Sequence, residues 1–188
     1  MLNITIHKTD APKEKPAKGT ALGFGNLFTD HMFLMDYSPD QGWHDARIVP
    51  YGPLTLDPAA SVLHYGQACF EGLKAYRGPD GKVRLFRPDC NGRRMMQSMR
   101  RMCMPEIPEE DFVQAIRALC RVEEAWVPDE IGSSLYFRPL AIATTPKLGV
   151  HASGNYLFCV LASPAGTYYP TGMEPVRIYV EPHYIRAA

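Results

Sequence analysis

The sequence predicts an α+β domain in which two helices pack on one side of a largely antiparallel sheet. Three observations point there. Strand-like segments fall into two groups, before and after a helical middle. Gly78-Pro79-Asp80-Gly81 is strong turn chemistry between two β-rich runs and reads as a hairpin. Two stretches with apolar residues at helical spacing follow one another with no strand between them.

The elements run as follows. Residues 1–20 read as a flexible N-terminal arm, because residues 8–20 are polar, carry Pro12 and Pro16, and cannot bury much surface. Ordered structure is expected to begin near Leu22. Phe28 to Tyr37 reads as a strand ending at the turn Ser38-Pro39-Asp40. Ala46 to Val49 follows as a short strand, with Leu54 to Leu56 as a third. Asp57-Pro58 can open a short helix through Tyr65, with Asp57 as N-cap. Cys69 to Arg77 and Lys82 to Arg87 are the two arms of the hairpin. Met95, Met99, Met102 and Cys103 form one helical stripe closed by Pro105. Phe112, Ile116, Leu119 and Cys120 form a second, after the acidic turn Glu109-Glu110-Asp111 that suits a helix N-terminus. Pro128 closes it. Ser134 to Thr144, Asn155 to Ser163 and Val176 to Glu181 read as strands.

Bulk properties exclude several function classes. Of the 188 residues, 46% are hydrophobic and 21% charged, with Lys plus Arg equal to Asp plus Glu at 20 each. A chain this neutral has no electrostatic reason to bind nucleic acid or an anionic membrane. Its start lacks a signal-peptide pattern, and the apolar window Tyr156 to Ala162 is too short to span a bilayer, so a cytoplasmic protein is expected. Cysteines 69, 90, 103, 120 and 159 have neither metal nor disulfide spacing and read as free thiols, mostly in the core. The histidines show no metal-ligand spacing.

On the strand Ser134 to Pro139, residues two apart share a face, so Tyr136 and Arg138 project together while Leu135 and Phe137 point the other way. A phenol beside a guanidinium can hold a carboxylate, or it can simply be solvated. Arg93-Arg94 and Arg100-Arg101 recur about two helical turns apart and could meet a phosphate or only water. A thiol nucleophile built from Cys69 and His64 lacks an orienting partner, and His64 reads as structural.

Longer strings go further. Phe24-Gly25-Asn26-Leu27-Phe28-Thr29-Asp30-His31-Met32, Leu63-His64-Tyr65-Gly66 and Phe70-Glu71-Gly72-Leu73-Lys74-Ala75-Tyr76 lead the series. Arg84-Leu85-Phe86-Arg87-Pro88 with Asn91-Gly92-Arg93-Arg94-Met95, then Ser134 to Pro139, Leu148-Gly149-Val150 and Ser163 to Tyr168 continue it. In this order they resemble the branched-chain amino acid aminotransferases, fold-type IV pyridoxal-phosphate enzymes, from about Leu22 onward. The resemblance implies the N-terminal half: residues 21–170 as the small α+β domain, and 171–188 as the interdomain connector with the first strand of a larger domain. It implies pyridoxal 5'-phosphate as cofactor. Leucine, isoleucine, valine, glutamate and their 2-oxo acids would be substrates, and the assembly a homodimer or higher homo-oligomer. It places Arg94 on the cofactor phosphate, and Tyr136 and Arg138 on substrate carboxylates. Phe24, Phe70 and Tyr168 would line the side-chain pocket, with Tyr65 and Val150 reaching the neighbouring subunit's pocket. The family's Schiff-base lysine lies in a Lys-x-Gly-Gly-Asn-Tyr context that none of lysines 8, 13, 15, 18, 74, 82 and 147 has. The resemblance therefore implies a catalytic lysine beyond Ala188, and no catalytic residue among those given. They are expected to be inactive alone. The alternatives are a D-amino acid aminotransferase or aminodeoxychorismate lyase relative, or a non-catalytic binding or assembly domain of the same fold.

Overall fold

In a computed structural model, residues 1–167, 169 and 174–185 are described. Among them the strands are β1 (Thr5–Ile6), β2 (His31–Ser38), β3 (Gly42–Pro50), β4 (Ala68–Phe70), β5 (Leu73–Arg77), β6 (Val83–Leu85), β7 (Ser134–Ala143) and β8 (Tyr156–Ala165). The helices are α1 (Ser61–Tyr65), α2 (Pro88–Arg101) and α3 (Glu109–Val122), with a 3-10 turn at Glu124–Trp126. The strands form one sheet in the order β1-β3-β2-β8-β7-β5-β6, and β4 also pairs with β7. All pairs are antiparallel except β1 with β3. The α+β expectation, with two helices over one face of a mostly antiparallel sheet, is the observed architecture.

Side-chain alternation divides the molecule into two apolar layers. One face of the sheet sends Phe33, Met35, Leu135, Phe137, Phe158 and Val160 against Met95 and Met99 of α2 and Phe112, Ile116 and Leu119 of α3. The other face sends Met32, Leu34, Ile142, Leu157 and Cys159 toward Leu54, Leu56 and Val62. That second layer explains Leu54 and Leu56. They are apolar because they cover the sheet, and they do so as irregular chain rather than as the expected strand.

Other boundaries differ for identifiable reasons. Asp57 does not cap α1: its Oδ1 accepts the Ala59 N–H at 2.8 Å and closes a turn, and the helix begins at Ser61. The α2 stripe stops at Met99. The Cys103 N–H bonds the Arg100 carbonyl and the Met104 N–H the Met99 carbonyl, with Cys103 at φ 52°. This is a Schellman closure, and it turns Cys103 outward while burying Met104 in its place. The α3 helix ends at Val122, before Pro128, and Glu123 turns into the interior. The expected strand at Val176 to Glu181 has no partner strand among the described residues, and its apolar side chains are exposed. The end of the chain expected to lead into a larger domain, Arg186 to Ala188, lies outside the described residues.

The N-terminal residues, expected to be a flexible arm, run along the domain. The Leu2 backbone is clasped at both N–H and carbonyl by the Gln114 amide, at 2.8 and 2.7 Å. The Thr9 N–H donates to His31 Nε2 at 2.9 Å, so Nδ1 carries the ring proton and donates to buried Glu123. Asp30 accepts from the Lys13 N–H at 2.7 Å, Lys15 Nζ at 3.0 Å and Trp126 Nε1 at 2.9 Å. Composition does not report these contacts: backbone amides and a lysine ammonium group meet Gln114, His31 and Asp30, and Leu2 and Ile4 pack against the core. Burial pushes the Asp30 carboxyl up, and these donors more than offset it, leaving it below the usual range.

Candidate active site

The core of the site is the outer face of β7. Leu135 and Phe137 enter the helix-side core and Tyr136 and Arg138 take the opposite face, as alternation requires. Arg138 donates from Nε and Nη2 to the Tyr136 hydroxyl at 3.1 and 2.9 Å. Its guanidinium lies over the Phe70 ring, 4.5 Å from the centroid. Phe24 meets Tyr136 edge-on at 4.9 Å. Phe24, Gly25, Phe28, Tyr136, Arg138, Leu161 and Ser163 line a cleft of about 210 Å³. Aromatic walls with one anchored guanidinium suit a ligand that is apolar over most of its surface and carries a carboxylate.

The strand beside β7 is interrupted between β4 and β5. The register is nonetheless continuous, Phe70 facing Leu140 and Leu73 facing Phe137. The cause is Pro139. The Glu71 N–H donates to the Pro139 carbonyl at 2.9 Å, but Pro139 has no N–H to return, so one rung of the ladder is missing. The expected single strand Cys69 to Arg77 is therefore split at Glu71-Gly72. Gly72 is required there, because a Cβ at this position would strike the Tyr136 hydroxyl and ring. Gly72→Ala is expected to displace the phenol and to destabilise the fold by about 1–3 kcal/mol, the usual cost of forcing a methyl into a packed site. Urea unfolding measures this, and a variant as stable as the parent contradicts the close approach.

Glu71 stands in the helix-facing series Cys69, Leu73, Ala75 and is 4% exposed. It is satisfied by Arg94, which grips it from Nε and, at 2.7 Å, from Nη2. Asn91 Nδ2 at 2.9 Å and the Gly72 N–H at 3.2 Å complete the set. Burial pushes the Glu71 carboxyl up, but the Arg94, Asn91 and Gly72 hydrogen bonds more than offset it and leave it below the usual range. Asp30 is shifted the same way. A depressed carboxyl contributes stability that is present above the ordinary carboxylate range and lost as pH falls through its lowered value. The melting temperature is therefore expected to fall below about pH 4. Glu71→Gln, which removes the titration of one of these two buried carboxyls, is expected to show a shallower fall, and identical pH profiles for parent and variant contradict the assignment.

Arg94 itself is 65% exposed at the side chain. Its Nη1 is not engaged by Glu71, and the residue borders a cleft with Phe70, Gln97, Ser98 and Arg101. Arg94 and the Tyr136–Arg138 pair thus come from opposite faces of the sheet. Both border residues 70–72, Arg94 through Glu71 and Phe70, Arg138 through Phe70 and Tyr136 through Gly72. Arg93 turns away to Asp89 at 2.6 Å and Glu109 at 3.2 Å. The Cys69 thiol is pushed up to about 11 by burial and the Glu71 charge, so it is no nucleophile.

The structure does not bring Tyr65 and Val150 into this cluster. The Tyr65 hydroxyl accepts the Gly149 N–H at 2.5 Å, and the adjacent Val150 is 96% exposed. The two sit together on a separate outward surface. Tyr168 lies outside the described residues, as does Ala188, beyond which the catalytic lysine is expected. The sequence reading missed Glu71, Asn91 and Gly72. Asn91 and Arg94 stand at i and i+3 on one helix, which places them on one face and was the available signal. Among the described residues there is no cluster of His, Cys, Asp or Glu that could hold a metal, and no helix long and apolar enough to cross a membrane.

No family model matches the chain. Curated relatives do. The chain is 56% identical over 185 residues to branched-chain-amino-acid transaminase 1 of Bacillus subtilis, covering 98% of this chain and 52% of that protein. It is 50% identical over 191 residues to the branched-chain-amino-acid aminotransferase of Mycolicibacterium smegmatis, covering 100% and 52%. The chain thus spans about half the length of the curated relatives it matches. Among solved structures, the branched-chain aminotransferase of Thermoproteus uzoniensis with norvaline aligns with TM-score 0.59 and 22% identity over 74% of this chain and 43% of that one. The Escherichia coli branched-chain amino acid aminotransferase aligns with TM-score 0.54 and 20% identity over 73% and 40%, a likeness of fold. By sequence along essentially its whole length, and by fold, the chain is homologous to the N-terminal half of the branched-chain amino acid aminotransferases.

Proposed function

We propose that the complete protein carries amino groups between leucine, isoleucine or valine and 2-oxoglutarate, with pyridoxal 5'-phosphate as cofactor, and works as a homodimer or larger homo-oligomer. The observation that carries this is the placement of Tyr136 and Arg138 between Phe24 and Phe70, on a chain half identical to relatives of that name. The cofactor, when bound, supplies an electron sink for the carbanion at the amino acid's α-carbon.

The chain's own residues fit that group and its substrates. Arg94 is a cation held by Glu71 and positioned beside Asn91 with a nitrogen to spare, the kind of donor a phosphate needs. Because Glu71 balances its charge, Arg94 contributes directed hydrogen bonds more than net attraction. Tyr136 orients Arg138 and keeps its own proton to donate to a carboxylate. Phe24, Phe28, Phe70 and Leu161 exclude water from an aliphatic side chain. Tyr65 and Val150 suit contact with a second subunit, and the resemblance assigns Tyr168, which lies outside the described residues, to the pocket wall. None of the seven lysines has the family's Schiff-base context. Proton transfer is therefore assigned to a lysine of the complete protein beyond Ala188, and residues 1–188 alone are expected to give no turnover.

The test is a coupled assay of glutamate formation from leucine and 2-oxoglutarate by the complete protein, with its absorbance recorded in the Schiff-base band. Neither glutamate nor the band overturns the proposal. Preference for D-alanine points instead to the D-amino acid relatives.

A further inference from the structure

We propose that Ser163 sets specificity for dicarboxylic ligands: its hydroxyl is the donor that completes, beside Arg138, the grip on a ligand's distal carboxylate. This role rests on the aminotransferase function proposed above. Ser163 lies on β8 directly opposite Tyr136 and lines the same cleft as Phe24, Tyr136 and Arg138. It is 4% exposed, and its Oγ has no hydrogen-bond partner among the described residues. A buried hydroxyl without a partner weakens a fold, and alanine would fit the same strand position without that cost. Ser134 Oγ is likewise unpartnered, but Ser134 does not line the cleft.

The geometry of Arg138 gives Ser163 its task. Nε and Nη2 of Arg138 already donate to the Tyr136 hydroxyl. Both N–H groups of Nη1 and the second N–H of Nη2 remain for a carboxylate, whose two oxygens together accept about four hydrogen bonds. A neighbouring hydroxyl supplies a further donor to the acceptor capacity that the guanidinium leaves open. Rotation about the Ser163 Cα–Cβ bond turns Oγ toward the cleft and breaks no hydrogen bond to the described residues, since it makes none among them. An aliphatic side chain offers no oxygen there, so the hydroxyl acts on the dicarboxylate alone.

The test uses the complete, cofactor-loaded protein and two non-reacting probes, glutarate and 4-methylvalerate, with dissociation constants measured by calorimetry. Ser163→Ala is expected to weaken glutarate binding about tenfold and to leave 4-methylvalerate within about twofold. Its melting temperature is expected to hold or rise. Ser163→Thr, which keeps the hydroxyl, is expected to retain the preference. Unchanged glutarate affinity in Ser163→Ala overturns the role, as does an equal loss on both probes. So does a lowered melting temperature, which would mean that the hydroxyl serves the fold. A parent protein that forms glutamate from leucine while Ser163→Ala binds both probes normally sinks this role and leaves the function standing. A parent that binds neither probe overturns both.

Discussion

Arg138→Met is expected to lower kcat/KM for 2-oxoglutarate roughly 30–150-fold while changing that for leucine less than about threefold, the range expected for losing a charge-assisted pair worth about 2–3 kcal/mol. Methionine keeps the unbranched stem that lies over Phe70 and removes the charge. On the proposed function a leucine side chain meets the aromatic walls and not the guanidinium, so its loss is limited to a displaced Tyr136 hydroxyl, which gives up two donors. Steady-state kinetics with each substrate varied separately checks this. Equal losses on both would show that Arg138 acts on a carboxylate common to all substrates, or through Tyr136 alone.

Arg94→Ala is expected to weaken cofactor retention by about 1.5–3 kcal/mol, roughly 10–150-fold in the dissociation constant. The same change strips the buried Glu71 of its ion pair. That costs stability too, but less than a fully buried break would, because Arg94 is largely solvated and water can follow it in. Arg94→Lys separates the two effects. It restores a cation for Glu71 without the planar fork, so the fold should recover more than the cofactor affinity does. Fluorescence titration with pyridoxal phosphate and urea unfolding read the two quantities independently. Parallel recovery of both would place Arg94 in the fold and not at the phosphate.

Much of this site was legible in the sequence because it depends on strand alternation. Tyr136 and Arg138 had to share a face once Leu135 and Phe137 were assigned to the core, and Met95, Met99, Phe112, Ile116 and Leu119 had to form the helix stripes beneath. The illegible parts depend on partners far away along the chain. Nothing local tells that Glu71 in a core-facing position will be met by Arg94, 23 residues on. Nothing local tells that Pro139 will open the ladder at Glu71-Gly72, or that Thr9 will find His31. The same limit applies to Leu54 and Leu56, whose apolar character reports what they cover and not whether they pair. Cys103 was misplaced for another reason: periodicity predicts a stripe's direction but not where a left-handed residue ends it.

The division of β7 and β8 into two faces has a consequence for how such a protein can be altered. Positions 136, 138, 161 and 163 line the cleft, whereas 135, 137, 158 and 160 belong to the core layer under the helices. A combinatorial library confined to the first set can redraw substrate preference while the packed layer under α2 and α3 stays as it is. The same separation lets lineages drift in what they accept without passing through unfolded intermediates. The cleft positions and the helix-side core positions are thus interleaved along the same two strands, with Leu161 also packing on the second apolar layer.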